Sequence, residues 1–306
     1  MEDNIVMKVA GHTMGTPEYT LFEAFKLFSE IEMDGVEIIW DDEYKCAIRK
    51  EMSDKEILEI KKKLDDFGLA VCALTPYMIE INALDKNIRQ KDLDDFKRCI
   101  NAAYNLGADC IRVYGGKYFP ESDYKIREEL EKILIESLIY LGEYANSKVV
   151  LCVETHFNTL TWTAKETAEI IKEVNAKSVR VLYDQPNLDF SGGEKYDEAL
   201  EILDNLIGMV HVKDFIFKKN KTGRFKSTKV VTIDPSLRLV TSRVPGEGII
   251  PWPKIIKLLW EKGYNGWLSL EYERRWFPED LPPAKEGMKK GLEYIRNILK
   301  KLEQKD

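Results

Sequence analysis

Eight short apolar runs, each followed by a segment of helical spacing, constrain this chain more than any other feature. They are Ile5–Ala10, Gly35–Trp40, Ala70–Leu74, Cys110–Tyr114, Val149–Val153, Val179–Asp184, Ile207–Val212 and Trp267–Glu271. Each is apolar almost throughout instead of alternating, the mark of a strand covered on both faces. The segments between them carry helix signals. Thr16-Pro17-Glu18 offers an N-cap, an early proline and a first-turn acid ahead of an apolar stripe at Leu21, Phe25 and Phe28. Ser53 and Glu56 have capping-box spacing before Ile57, Ile60, Leu64 and Phe67, and Thr163 and Glu166 repeat it. Further helices are expected near 91–106, 121–146, 196–206 and 251–262, with Gly68, Gly107 and Gly263 as helix stops. The last helix spaces Met288, Leu292, Ile295, Leu299 and Leu302 by four and three.

Strict alternation implies a parallel sheet with right-handed crossovers, and eight strands close into a barrel. An open doubly wound sheet is the alternative, but no G-x-G-x-x-G or G-x-x-x-x-G-K follows the first strand. The expected fold is therefore one (β/α)8 TIM-barrel domain over residues 1–306. Residues 215–248 break the rhythm and read as a long loop insertion after the seventh strand, over the C-terminal face. From Lys213 to Arg243 there are nine Lys or Arg against two Asp. The stretch reads as a lid or a contact between copies in a homo-oligomer, with recognition of a phosphorylated sugar as the alternative.

A net charge of -7 argues against nucleic acid as the main partner. No apolar run is long enough to span a membrane. The acidic start Met1-Glu2-Asp3-Asn4 lacks a signal-peptide profile, and the five cysteines form no C-x-x-C pair. A cytoplasmic protein with reduced thiols is expected.

Barrel enzymes take their reactive groups from the C-terminal ends of several strands. Here those ends carry Glu154, Asp184, His211 and Glu271. Three carboxylates and an imidazole at one rim repel one another unless a cation lies among them. Oxygen and nitrogen donors without a thiolate suit Mn²⁺, the expected ion, or Mg²⁺, Zn²⁺ or Co²⁺.

Several stretches resemble the sugar phosphate isomerase/epimerase group of the xylose isomerase-like TIM barrels, the AP endonuclease family 2 type. They are Val153-Glu154-Thr155-His156, Asp184-Gln185-Pro186-Asn187, His211-Val212-Lys213-Asp214, Gly246-Glu247-Gly248 with Trp252, and 263–271. The resemblance implies that Glu154, Asp184, His211 and Glu271 bind one metal ion. It also implies that Glu154 and Glu271 act as the acid/base pair. Many relatives place a substrate-touching His three residues after the metal-binding Asp, where this chain has Asn187. The three-zinc site of endonuclease IV needs many histidines, and this chain has three, His12, His156 and His211.

The expected activity is a divalent-metal-dependent isomerase or epimerase acting on a ketose, sugar phosphate or related polyol through an enediolate. A dehydratase of inosose or dehydroshikimate type is the alternative, because loss of a β-hydroxyl can follow the same proton abstraction. His156, Arg112, Asn187, Lys213, Glu247 and His12 are the candidate substrate contacts. Lys213 lies two residues beyond His211 and so shares its side of the strand. Trp40, Tyr77 and Trp276 stand near strand ends, where they can stack on a sugar, and Glu37 reads as a structural rim acid.

Overall fold

The computed structural model describes residues 6–119, 124–146, 148–218, 230 and 238–304. Its strands are β1 (Lys8–His12), β2 (Gly35–Trp40), β3 (Ala70–Pro76), β4 (Cys110–Tyr114), β5 (Val150–Glu154), β6 (Val179–Tyr183), β7 (Ile207–Val212), β8 (Asp214–Phe217), β9 (Val240–Arg243) and β10 (Trp267–Leu270). Eight of these close a parallel barrel in the order β1-β10-β7-β6-β5-β4-β3-β2. Closure is made by β1 on β10, in a register running from Lys8↔Trp267 to Gly11↔Leu270. The helices are α1 (Leu21–Glu30), α2 (Asp54–Asp66), α3 (Lys86–Leu106), α4 (Tyr124–Ala145), α5 (Ala164–Val174), α6 (Gln185–Ser191), α7 (Tyr196–Leu203), α8 (Trp252–Glu261) and α9 (Ala284–Glu303).

The two faces of each strand do different jobs because side chains alternate along it. One face packs against the helices in the main core, where Phe25 and Phe28 of α1 and Leu292 and Ile295 of α9 are buried. Each such side chain contributes about 1.5–3 kcal/mol of burial. The other face points into the barrel. There Ala10, Cys72, Cys110, Cys152, Leu182, Met209 and Trp267 form a separate apolar layer. Two residues further along the same faces come Arg112, Glu154, Asp184 and His211, so an apolar floor carries a polar pole. All five cysteines are buried free thiols. No helix among the described residues is long and apolar enough to cross a membrane.

Several local expectations shift. Helix α1 does not start at Thr16-Pro17. Its N-cap is Thr20, whose hydroxyl and backbone N–H form a reciprocal box with Glu23, and that box outcompetes the proline signal. Helix α3 begins five residues early because Asp85 accepts from the N–H groups of Asn87 and Ile88. Helix α6 was not anticipated at all, although Asp184 as N-cap and Pro186 in the first turn are its sequence signal. The start expected for α4, Glu121, lies outside the described residues.

The 215–248 segment is not a simple loop. Its ends pair as an antiparallel ribbon, β8 with β9, from Asp214↔Arg243 to Phe217↔Val240. The base is clamped by Asp214, whose carboxylate accepts from the backbone N–H groups of Phe215 (2.9 Å), Gly246 (2.9 Å), Gly248 (3.1 Å) and Ile250 (3.0 Å). Gly248 is required here, since a Cβ would lie 2.0 Å from Asp214 Oδ1. Residues 219–229 and 231–237, most of the basic stretch, lie outside the described residues.

Candidate metal centre

The four residues at the strand ends meet at one point. Glu154 is the last residue of β5, Asp184 follows β6, His211 lies in β7 and Glu271 follows β10. One ligand atom from each falls within 4.8 Å of all the others. His211 Nδ1 stands 3.5 Å from Glu154 Oε1, 3.6 Å from Asp184 Oδ2 and 3.4 Å from Glu271 Oε2. Ligand atoms about 2.1 Å from a shared ion lie about 3.0–4.2 Å apart, so this spacing fits a divalent cation. One buried atom supports the fit: His211 Nδ1, which faces the three carboxylates, has no hydrogen-bond partner. Hard carboxylate oxygens with one imidazole nitrogen are the donors such an ion takes.

The opposite edge of the His211 ring meets Glu37. Nε2 lies 3.1 Å from both Glu37 oxygens, and Glu37 is fully buried. Thr75 donates its hydroxyl to the same carboxylate. Burial alone would raise the Glu37 carboxyl, but the His12 and His211 rings hold it well below the usual range. Glu37 is therefore not a rim acid. Its signal was available, since it is the single charge in the otherwise apolar run Gly35–Trp40 and must find a partner once buried.

Lys213 supplies the positive charge of the pole. Its Nζ is 2.6 Å from Glu271 Oε2, 2.8 Å from Asp184 Oδ2 and 3.7 Å from Glu273 Oε1. Burial works against the ammonium, yet Asp184 and Glu271 push its pKa well up. Burial likewise opposes ionisation of Glu271, and Lys213 and His211 overcome it, holding this carboxyl well below its ordinary value. For Asp184 burial wins, raising the carboxyl in spite of Lys213. Glu154 is brought down to about 2 against burial by His156, His211 and Arg112.

Above the pole opens a cavity of about 180 Å³, with Glu154 and Glu271 in its floor and Tyr77, Tyr114, Phe157, Phe190 and Trp276 in its walls. Arg112, His156, Asn187 and Lys213 also line it. Arg112 lies over the Tyr114 ring at 3.8 Å and the Tyr77 ring at 5.0 Å, and its Nη1 is 3.6 Å from Glu154 Oε2. Its Nε and Nη1 are buried without hydrogen-bond partners. Asn187 donates from Nδ2 to Glu154 Oε1 at 3.2 Å. His156 Nδ1 is 2.9 Å from the Phe157 carbonyl, which can only accept, so the ring proton sits on Nδ1. Burial lowers this imidazole to about 4.

Two expected substrate contacts are not brought to the cavity. His12 is fully buried beside Glu37, 3.5 Å away, and does not line the cavity. Glu247 sits exposed on the Gly246–Gly248 turn, whose backbone serves the Asp214 clamp instead. Trp40 is packed away as well, with the Lys50 ammonium over its ring. Conversely, Glu273 and the insertion residues Lys218, Arg238 and Val240 line the cavity. Arg238 is held over Phe277 at 3.3 Å and paired with Asp280. Polar residues in irregular segments carry no periodicity that would have marked them.

Residues 25–298 match the model of the xylose isomerase-like TIM barrel family. The chain belongs to this family. Over 166 residues it is 31% identical to the inosose dehydratase of Clostridium perfringens, covering 53% of this chain and 52% of that one, so the match spans about half of that relative. The inosose dehydratase of Geobacillus thermodenitrificans is 29% identical over 221 residues, 68% of this chain and 70% of the relative. Among solved structures, L-ribulose 3-epimerase superposes with a TM-score of 0.76 at 16% identity, over 98% of this chain and 97% of that one, a likeness of fold. The buried acid–histidine cluster of this xylose isomerase-like barrel has the make-up of a divalent metal site.

Proposed function

We propose that this enzyme is a metal-dependent lyase that removes water from a cyclic polyhydroxy ketone of the inosose type. The observation that carries the reading is the inequality of the two glutamates. Glu154 meets Asn187 and, at 3.6 Å, Arg112 Nη1, whereas Glu271 is locked to Lys213 at 2.6 Å. Inversion at one carbon asks for two proton-transfer groups of like standing on opposite faces. Elimination asks for one group that accepts a proton and another that donates one. A carboxylate on one side and an ammonium on the other suit the second task, and curated relatives named as inosose dehydratases point the same way.

A divalent ion, with Mn²⁺ the expected one, held by Glu154, Asp184, His211 and Glu271 would act as a Lewis acid on the substrate's carbonyl oxygen. Glu154 takes the proton from the carbon beside the carbonyl. The electron pair left by that C–H bond becomes the new C=C bond, and the bond to the β-hydroxyl breaks. Lys213 gives its proton to the departing oxygen, which leaves as water. Arg112, with unpartnered N–H groups beside Glu154, binds a substrate oxygen and fixes the face presented to the base. The aromatic walls stack on the ring and keep bulk water out.

The test is product analysis after incubation of the purified protein with an inosose and Mn²⁺. The reading expects a product lighter by one water, with ultraviolet absorbance from the new conjugated double bond. An isomer of unchanged mass, from an inosose or from a ketose, would overturn it in favour of the isomerase/epimerase reading, which uses the same two glutamates.

A further inference from the structure

Two neighbouring clusters share His211. One is the four-residue metal centre, and the other is His12, Glu37 and His211, whose ligand atoms also lie within 4.8 Å of one another. The hydrogen bonds around Glu37 decide what the second cluster does. His12 Nδ1 is 3.0 Å from the Met14 backbone N–H, which can only donate, so Nδ1 carries no proton. With Nδ1 accepting, the ring's proton lies on Nε2, the atom that faces Glu37. On the other side, His211 Nε2 hydrogen-bonds the Glu37 carboxylate, an acceptor only, so Nε2 is also protonated. Neither ring offers a lone pair to the space around Glu37, and Thr75 donates there as well. That space is closed to a cation. What remains is a buried carboxylate that accepts from Thr75 of β3 and His211 of β7, with the His12 ring of β1 beside it.

We propose that Glu37 is the positioning residue of the metal centre. By accepting the Nε2 proton of His211 it fixes the ring's tautomer and rotation, and so presents the Nδ1 lone pair to Glu154, Asp184 and Glu271. Its fully buried negative charge also makes that nitrogen a stronger donor. Partners of this kind commonly govern metal affinity without touching the ion. The inference rests on the metal-centre reading of the four-residue cluster.

The experiment titrates chelator-stripped full-length protein with Zn²⁺ by calorimetry, comparing wild type, Glu37→Gln and Glu37→Asp. One ion per chain is expected for wild type, with affinity weakened about 10- to 100-fold in Glu37→Gln and partly restored in Glu37→Asp, where a carboxylate one methylene shorter remains. Affinity in Glu37→Gln within about twofold of wild type would overturn the inference, given the usual effect of such partners. So would two ions per chain, one of them lost in the variant. Imidazole ¹H–¹⁵N spectra of zinc-loaded wild type provide a readout that needs no variant to fold. They should show a proton on His211 Nε2 in a strong hydrogen bond and zinc on Nδ1, and the reverse arrangement sinks the proposal. Wild type that binds no ion would remove the metal-centre reading and this inference with it, whereas an unchanged variant removes the inference alone.

Discussion

Replacing Lys213 by Met tests the charge balance of the pole. The ammonium is in contact with Glu271 and Asp184 at 2.6 and 2.8 Å, and its side chain is 8% exposed. Methionine keeps much of the volume and removes the charge, leaving two buried carboxylates without their cation. Breaking a buried pair in this way costs about 3–5 kcal/mol. At about 2 °C per kcal/mol for a chain of this size, the chelator-treated variant should melt about 6–10 °C below wild type. Divalent ion should repair much of the loss. Binding at a hundred times Kd contributes about 2.7 kcal/mol, and the variant should bind more tightly because no ammonium competes for the carboxylates. Acid titration adds a sign. The folded pKa of Glu271 is depressed, so its contribution is present above the unfolded value, about 4.3, and is lost as pH falls through the folded one. Chelated wild type should therefore lose stability below about pH 4.3, and the variant, lacking the pair, should show a shallower slope. The assay is thermal melting followed by circular dichroism, in chelator and in Mn²⁺, across pH. A chelated variant melting within about 2 °C of wild type, or one that binds Mn²⁺ more weakly, would refute the reasoning.

Two further outcomes follow from geometry. Glu154→Gln should keep the fold and lose at least about a hundredfold in turnover, because an amide cannot accept the substrate proton; near wild-type rates with an identified substrate would remove Glu154 from that role. Gly248→Ala drives a methyl group to 2.0 Å from Asp214 Oδ1. It should cost about 2–4 kcal/mol in denaturant unfolding through overpacking and lost N–H···carboxylate bonds, and an unchanged midpoint would show that the clamp yields freely.

Much of the barrel could be read from the chain because its strands are buried on both faces, leaving continuous apolar runs with nothing to confuse them. Ile207–Val212 is a strand with the bounds expected. The four strand-end residues that converge were visible for the same reason, since Asp184 and Glu271 each follow the last apolar residue of a strand. Glu37 was misjudged because its meaning depends on partners 38 and 174 residues away in sequence. The direction of Lys213 followed from strand alternation, but its carboxylate partners come from β6 and β10, and only closure of the barrel brings them together. Glu247 misled in the opposite sense. A Gly-Glu-Gly turn draws attention to the acid, while the glycines are what the structure uses. The pairing at the base of the insertion escaped notice because neither Asp214–Phe217 nor Val240–Arg243 is an apolar run throughout.

The Asp214 clamp has a consequence for how such a barrel can change. Lys213 belongs to the pole and Asp214, the next residue, closes the base of the insertion, while Trp252 Nε1 donates to the Lys213 carbonyl from the start of α8. The β8–β9 ribbon is thus a socket with its own fastening. Sequence carried beyond it can be exchanged or resized while the groups that hold a proton or an ion stay where they are. A chemist wishing to graft new sequence onto this barrel has a place to cut, between Phe217 and Val240, where the joinery on the barrel side is already complete.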